Sequence, residues 1–268
     1  MYKNESGYQA LILDVLQNGI NRPDRTGTGT TAVFGRQIVF EDVANNFPLF
    51  TNRKIYTKGV IGELCAFVRG ATSVEELKSW GCNYWDGFAI EDADPEYDLG
   101  PIYGAQWREF NGQECDQLRG VISNLKSNPY SRRHLVSAWN PIELDDMALP
   151  PCFHAFQLFV SDGVLDMICL MRSVDICIGL PSDVFLHAML LKLIAAEVGL
   201  IAGDLTFQTG DTHIYNNHLE QALVIAERDL CPPCSVTIDQ TATVQVAPEH
   251  IHITNYTHQP AIKLGISI

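Results

Sequence analysis

Positive charge is scarce in this chain. Eighteen Lys and Arg residues stand against 32 Asp and Glu, a formal net charge of −14 over 268 residues. A general nucleic-acid or anionic-membrane binder needs a cationic face, so both classes are disfavoured. Any cluster of arginines in so acidic a chain therefore needs a reason. Uninterrupted apolar runs of transmembrane length are also missing. Residues 1–6 are polar and lack the charged start and apolar centre of a signal peptide. The eight cysteines are too dilute for a secreted disulfide scaffold, and Cys65, Cys169 and Cys177 sit in apolar runs. Reduced thiols and a cytoplasmic location are expected. Cys231-Pro-Pro-Cys234 has no second CxxC pair and no nearby His at zinc-finger spacing, so it reads as a loop with two incidental thiols and no metal is expected.

What is present is core-forming. Hydrophobic residues make up 46% of the chain, and no linker or repeat divides it, so residues 1–268 read as a single domain. Apolar spacing predicts helices over 7–18, 58–69 and 182–198, the last ended by Gly199. Ser73 and Glu76 have the spacing of a capping box, which predicts a helix over 73–80. Strands are expected over 31–40, 134–139, 153–161, 164–171 and 242–254, with Asp162-Gly163 as a hairpin turn. Interleaved helices and hairpins argue an α+β fold with a mixed or antiparallel sheet.

Arginine gathers where other motifs occur. Asp24-Arg25-Thr26-Gly27-Thr28-Gly29-Thr30 is a basic Gly/Thr loop without the Gly-Lys-Ser/Thr of a Walker A motif. Ser131-Arg132-Arg133 leads into a strand, and Arg172-Ser173 ends another. Guanidinium groups and hydroxyls together suit a phosphate monoester, although surface arginines commonly just pair with carboxylates. Pro150-Pro151-Cys152 precedes an apolar strand, where a cysteine is either a small buried residue or, with a cation beside it, a nucleophile. His213 and Tyr215 alternate onto one side of an extended segment and could together meet a sugar or phosphate.

These segments together resemble the thymidylate synthase family along nearly the whole chain. The resemblance runs, in order, through Asp24 to Thr30; Phe47-Pro48-Leu49; Glu63-Leu64; Trp85-Asp86; Asp98 to Arg108, which contains Gly100-Pro101-Ile102-Tyr103-Gly104; Asp116-Gln117; Ser131 to Asn140; Met147-Ala148-Leu149-Pro150-Pro151-Cys152; Arg172-Ser173-Val174-Asp175; Gly179-Leu180-Pro181; and Gly210 to His218. It implies a three-layer α/β fold and an obligate homodimer with shared active sites. The implied co-substrate is 5,10-methylenetetrahydrofolate, with no metal. Cys152 matches the thiolate that adds to C6 of a pyrimidine nucleotide. Arg172 matches a phosphate ligand that also lowers the thiol pKa. Arg25 and Ser173 match further phosphate contacts, and Arg132 and Arg133 match a pair supplied by the partner subunit. His213 and Tyr215 match the deoxyribose contacts, Glu63 the general acid/base, and Tyr103 the group placed for C5 proton removal. Trp85, Asp175, Leu149, Gly179 and Ile268 match the folate side.

One position departs from the family with chemical consequence. The family's Gly-Leu-Pro-Phe-Asn reads Gly179-Leu180-Pro181-Ser182-Asp183 here. The family's amide reads the uracil edge, whereas cytosine offers an N4 amino donor that a carboxylate accepts. Asp183 therefore predicts dCMP in place of dUMP, and related phage deoxycytidylate hydroxymethylases carry Asp at this position. Its competing reading is a helix cap or dipole partner. Phe153 stands where the family has His, with His154 one place later, and Ser182 replaces Phe. Asp183, Ser182 and His154 favour a wetter site, in which water rather than folate hydride completes the reaction. Trp85 and the apolar C-terminal residues favour the opposite. The expected activity is dCMP 5-hydroxymethylation, in the host cytoplasm if phage-encoded. Alternatives are dCMP 5-methylation with formation of dihydrofolate, thymidylate synthesis from dUMP, and an inactive nucleotide-binding module.

Overall fold

Asp162 (φ 48°) and Gly163 (φ 80°) both adopt the left-handed backbone that a two-residue I′ turn requires, and they close the hairpin expected from the sequence. The structure, a computed structural model, describes residues 1–112, 115–239 and 243–265. Its elements run β1 (Tyr2–Lys3), α1 (Asn4–Asn18), β2 (Ile20–Arg22), β3 (Thr30–Phe40), α2 (Thr57–Phe67), α3 (Val74–Ser79), α4 (Tyr103–Arg108), α5 (Gln117–Ser127), β4 (Leu135–Ser137), β5 (Phe153–Ser161), β6 (Val164–Asp175), α6 (Gly179–Val198), β7 (Ile201–Tyr215), α7 (Leu219–Glu227), β8 (Ser235–Ile238) and β9 (Ile251–Thr254).

A seven-stranded sheet has the order β1-β3-β7-β6-β5-β4, with β2 added on β3. The β1–β3 and β6–β7 pairs are parallel, and the others antiparallel. The sheet is thus mixed and the fold α+β, as the sequence suggested. Helix α6 packs on β6 and β7, and α1 packs on β3. Helices α2 and α7 form an outer shell against α6 and α1 respectively. The core lies between sheet and helices, where Phe40, Phe185, Phe207 and Leu186 are buried. By length and composition α6 could cross a bilayer, but 72% of its most apolar window is buried within the protein. It stops at Gly199 (φ 73°), whose N–H returns to the carbonyls of Ala195 and Ala196.

The local signals held where their chemistry was local. The capping box is present, with Ser73 accepting from the Glu76 N–H. Two expectations fail. The strand expected over 242–254 is only Ile251–Thr254, because Pro248 has no N–H to give a ladder and opens a 3₁₀ turn instead; residues 240–242 lie outside the described ones. Helix α6 begins at Gly179 rather than 182, taking Pro181 into its first turn, where no N–H is needed.

Helix α2 carries the link from fold to site. A Cβ on Gly62 would sit 2.4 Å from the Trp80 carbonyl oxygen and 2.8 Å from the Cys82 nitrogen. A Cβ on Gly59 would meet the rings of Tyr56 and Tyr84 at 2.5 and 2.8 Å. The bare backbone lets α2 lie directly on the 80–84 segment and brings Tyr84 and Trp85 to Glu63. Gly62→Ala gains about 1 kcal/mol of helix propensity and loses more to overpacking. The expected net effect is a loss of about 1–2 kcal/mol in urea unfolding. Unchanged stability would show that α2 does not depend on this close approach.

Candidate active site

Cys152 sits immediately before β5, held from both sides. Its N–H donates to the Tyr103 hydroxyl at 2.8 Å, and its carbonyl accepts from the Arg172 N–H at 2.9 Å. The Arg172 guanidinium donates to the carbonyls of Pro151 (2.8 Å) and Pro150 (2.7 Å), fixing the backbone that leads to the thiol. Burial pushes the Cys152 thiol above its ordinary pKa, and Asp183 adds to that. Arg172 and Arg25 pull it down but do not overcome burial. The expected lowering by Arg172 is therefore real as a contribution and reversed in the net, because the thiol loses more solvation than one cation returns.

The thiol opens on a cleft of about 360 Å³. Glu63, Trp85, Tyr103, Leu149, Gly179 and Asp183 all line it with Cys152, as do Tyr84 and Ser182. Glu63 accepts from the Tyr84 hydroxyl and from Trp85 Nε1, each at 2.7 Å. Burial raises its carboxyl pKa to about 7 against these two bonds. That is the value a group needs to take and return protons near neutrality. Tyr103 stacks on Phe153 with ring centroids 4.0 Å apart, forming an aromatic wall beside the Cys152 thiol. Trp85, Phe88, Leu149 and Ile178 give the rest of the cleft an apolar, largely aromatic lining. Such walls fit a flat heterocycle.

Asp183 does not cap its helix. The N-cap is Ile178, no side chain caps the terminus, and Asp183 is four residues inside. Its half-buried carboxyl has no hydrogen bond among the described residues and lines the cleft. Burial, then Glu63 and Asp175, hold it well above the usual carboxylate range. In its protonated form it offers one donor and one acceptor at the cleft that Cys152 also lines.

Four arginines singled out by the motifs do not line this cleft. Arg25, Arg132, Arg133 and Arg172 are exposed, and among the described residues none has a carboxylate within ion-pair distance. Arg22, Arg36, Arg108 and Arg119 do pair with aspartates. The simple surface-pairing reading thus fails for the four that the motifs singled out. Ser173 and Asp175 on β6 are paired in register with Asp211 and His213 on β7. His213 Nδ1 lies 2.9 Å from Asp211 Oδ1, a carboxylate that accepts, so Nδ1 carries the proton of this contact and the ring orientation is set. The His213 and Tyr215 rings are 5.3 Å apart, on one side as expected.

Three residues fall elsewhere. Asp175 is not on the cleft wall; its Oδ1 accepts from the N–H groups of Cys177 (2.8 Å) and Ile178 (3.3 Å) and orders the turn into α6. His154 does not moisten the site. The β5–β6 register shifts between Phe153 and Ala155, and His154 lines a separate cavity with Arg36, Gln37 and Gln208 on the sheet's other face. Ile268 lies outside the described residues. Tyr84 and the Phe153 stack went unread in the sequence, because both act through packing between segments rather than through a motif.

The model of the thymidylate synthase family, described as "Thymidylate synthase", matches residues 6–268. A direct test of the near-neutral carboxyl is the pH profile of kcat/KM. Below about pH 7 Glu63 carries its proton and above it is ionised. Glu63→Gln is expected to abolish the inflection near pH 7 and to lower kcat by roughly 100-fold or more. A retained inflection would move that titration to another group.

Proposed function

The chain belongs to the thymidylate synthase family, and from that premise we propose that it is a deoxycytidylate 5-hydroxymethylase. The family carries out folate-dependent one-carbon transfer to C5 of a pyrimidine nucleotide, uses methylenetetrahydrofolate and is typically dimeric. The observation that carries the cytosine reading is the Asp183 carboxyl, unpaired among the described residues and facing the cleft beside Cys152. Held protonated, it accepts from the N4 amino group and donates to N3. A protonated acid can also meet the uracil edge with its roles exchanged. Cytosine N3 is more basic than uracil O4, so it holds the shared proton more tightly and keeps both contacts as pH rises.

The remaining roles follow from position. The Cys152 thiol adds to C6 of the ring, with Arg172 and Arg25 favouring its ionised form. An N3 held in a proton-sharing contact draws charge from the ring and favours that addition. Glu63 moves protons at the cleft, oriented by Tyr84 and Trp85. Tyr103 takes the C5 proton in this reading, which its contact with the Cys152 N–H supports. The folate, when bound, supplies the one-carbon unit, with Trp85, Leu149 and Gly179 on its side of the cleft and Asp175 acting at a distance by ordering the turn into α6. Ser182 lines the cleft where the family has Phe, and its hydroxyl favours water as the final nucleophile. The competing product is 5-methyl-dCMP, favoured by the apolar wall of Trp85, Phe88 and Phe153. Phage origin and a role in DNA modification, within the host cytoplasm, accord with a cytosine nucleotide substrate.

Arg25, Arg172 and Ser173 hold the phosphate, and His213 and Tyr215 the deoxyribose. Arg132 and Arg133 reach the phosphate of the partner subunit in a homodimer formed through the uncovered sheet face, where Leu135 and Phe159 stand exposed near one another.

The deciding experiment is incubation with methylenetetrahydrofolate and each of dCMP, CMP, dUMP and UMP. Mass spectrometry separates hydroxymethyl from methyl products, and absorbance reports dihydrofolate. Turnover of dCMP without dihydrofolate is expected, and Asp183→Asn should shift kcat/KM toward dUMP by at least about tenfold. Turnover of dUMP with none of dCMP would overturn the cytosine reading. For the shared site, subunits carrying Arg132→Ala and Cys152→Ala are expected to regain activity when mixed and refolded together. No regain would count against arginines crossing the interface.

A further inference from the structure

Behind the cleft wall, a second thiol and an imidazole are paired inside the core. His187 lies one turn after Asp183 on α6 and is fully buried, as is Cys169 on β6. His187 Nδ1 is 2.8 Å from the Asp183 carbonyl oxygen, and Nε2 is 3.4 Å from Cys169 Sγ. A carbonyl oxygen can only accept, so Nδ1 carries the proton. Nε2 then has a lone pair, and the Cys169 thiol donates to it. Two neighbours therefore fix one tautomer and one ring orientation. The ring is edge-on to Phe153 at 4.7 Å and to Phe207 at 5.5 Å. Phe153 stacks on Tyr103, whose hydroxyl accepts the Cys152 N–H. Burial pushes the imidazole down to about 4, so it stays neutral at working pH and the bonds persist.

His187 does not line the cleft. It nonetheless touches both things that must be held in relation there, the helical turn that carries Asp183 and the aromatic wall beside Cys152. We propose that His187, locked by Cys169, is a positioning residue for base selection, fixing the first turns of α6 so that the Asp183 carboxyl meets the base edge at a set distance from the nucleophile. This rests on the reading of Asp183 as the base-selecting residue. A polar pair that merely filled volume would do no more than an apolar side chain of similar size.

The test compares dCMP and dUMP affinities by calorimetric titration of the whole protein, so the result does not depend on which product forms. His187→Leu is expected to lower the dCMP:dUMP affinity ratio about tenfold, the effect of losing one buried hydrogen bond and the order it imposes. The amide of His187→Asn places an N–H near the Nδ1 position and should hold the ratio within about threefold of wild type. Cys169→Ala should lower the ratio, and Cys169→Ser, which keeps a donor, should preserve it. A purely structural role would lower thermal stability and leave the ratio unmoved across the series, and that result overturns the proposal. If His187→Leu does not fold, the Cys169→Ala and Cys169→Ser pair decides, and equal ratios in the two overturn it. Asp183→Asn run alongside separates the two readings. A ratio unmoved by Asp183→Asn removes the base-selecting role itself; a ratio moved by Asp183→Asn and not by His187→Leu removes only the positioning role.

Discussion

A carboxylate buried without a counter-charge is among the most unfavourable groups a protein can hold, and this cleft is lined, among the described residues, by two carboxyl groups and no arginine or lysine. Burial raises the pKa of both Glu63 and Asp183, and Glu63 adds to the cost of ionising Asp183. Everything else around the cleft answers to that constraint. Tyr84 and Trp85 donate to Glu63 so that it ionises near neutrality rather than far above it. Arg172 and Arg25 act on the Cys152 thiol against burial and Asp183. The Cys152 thiol is thus subject to opposing charges, with Asp183 raising its pKa and Arg172 and Arg25 lowering it.

The scaffold makes this arrangement rigid at little expense in sequence. Helix α6, apolar on nearly every side, is sunk between the sheet and α2 and brings Gly179, Ser182 and Asp183 to the cleft at its start. Two glycines in α2 permit the contact that delivers Tyr84 and Trp85. The hairpin of β5 and β6 sets Cys152 against Arg172 through a backbone hydrogen bond, so nucleophile and cation are related by main chain rather than by side-chain rotamers.

Much of this was legible in the residues, and the failures share a cause. The Asp162-Gly163 turn and the Ser73–Glu76 capping box are read from adjacent positions, and both are present. The motif residues converge too, with Glu63, Trp85, Tyr103, Cys152 and Asp183 on one cleft despite their separation in the chain. Strand β7 went unrecognised along most of its length because Thr, Gly and Asp interrupt its apolar alternation, and its identity comes from pairing on both edges. The helix-cap reading of Asp183 failed because α6 starts earlier than Pro181 suggested. His154 was misread because a bulge carries no sequence mark. The pairing of His187 with Cys169 joins two residues, each unremarkable alone, across 18 positions of chain.

The parallel pairing of β6 and β7 has a geometric consequence. Their C-terminal ends finish side by side, with Ser173 opposite Asp211 and Asp175 opposite His213. The spacing between the residues on the two ends is then a backbone quantity, about 4.8 Å per strand step. The sheet serves as a ruler laid between the two halves of whatever binds there. Side chains at the graduations can change one by one, but a one-residue slip of β7 would turn Asp211 and His213 together to the opposite face from Ser173 and Asp175. The relative placement of these two residue pairs is in this sense a property of strand register, which no single side-chain substitution can rewrite.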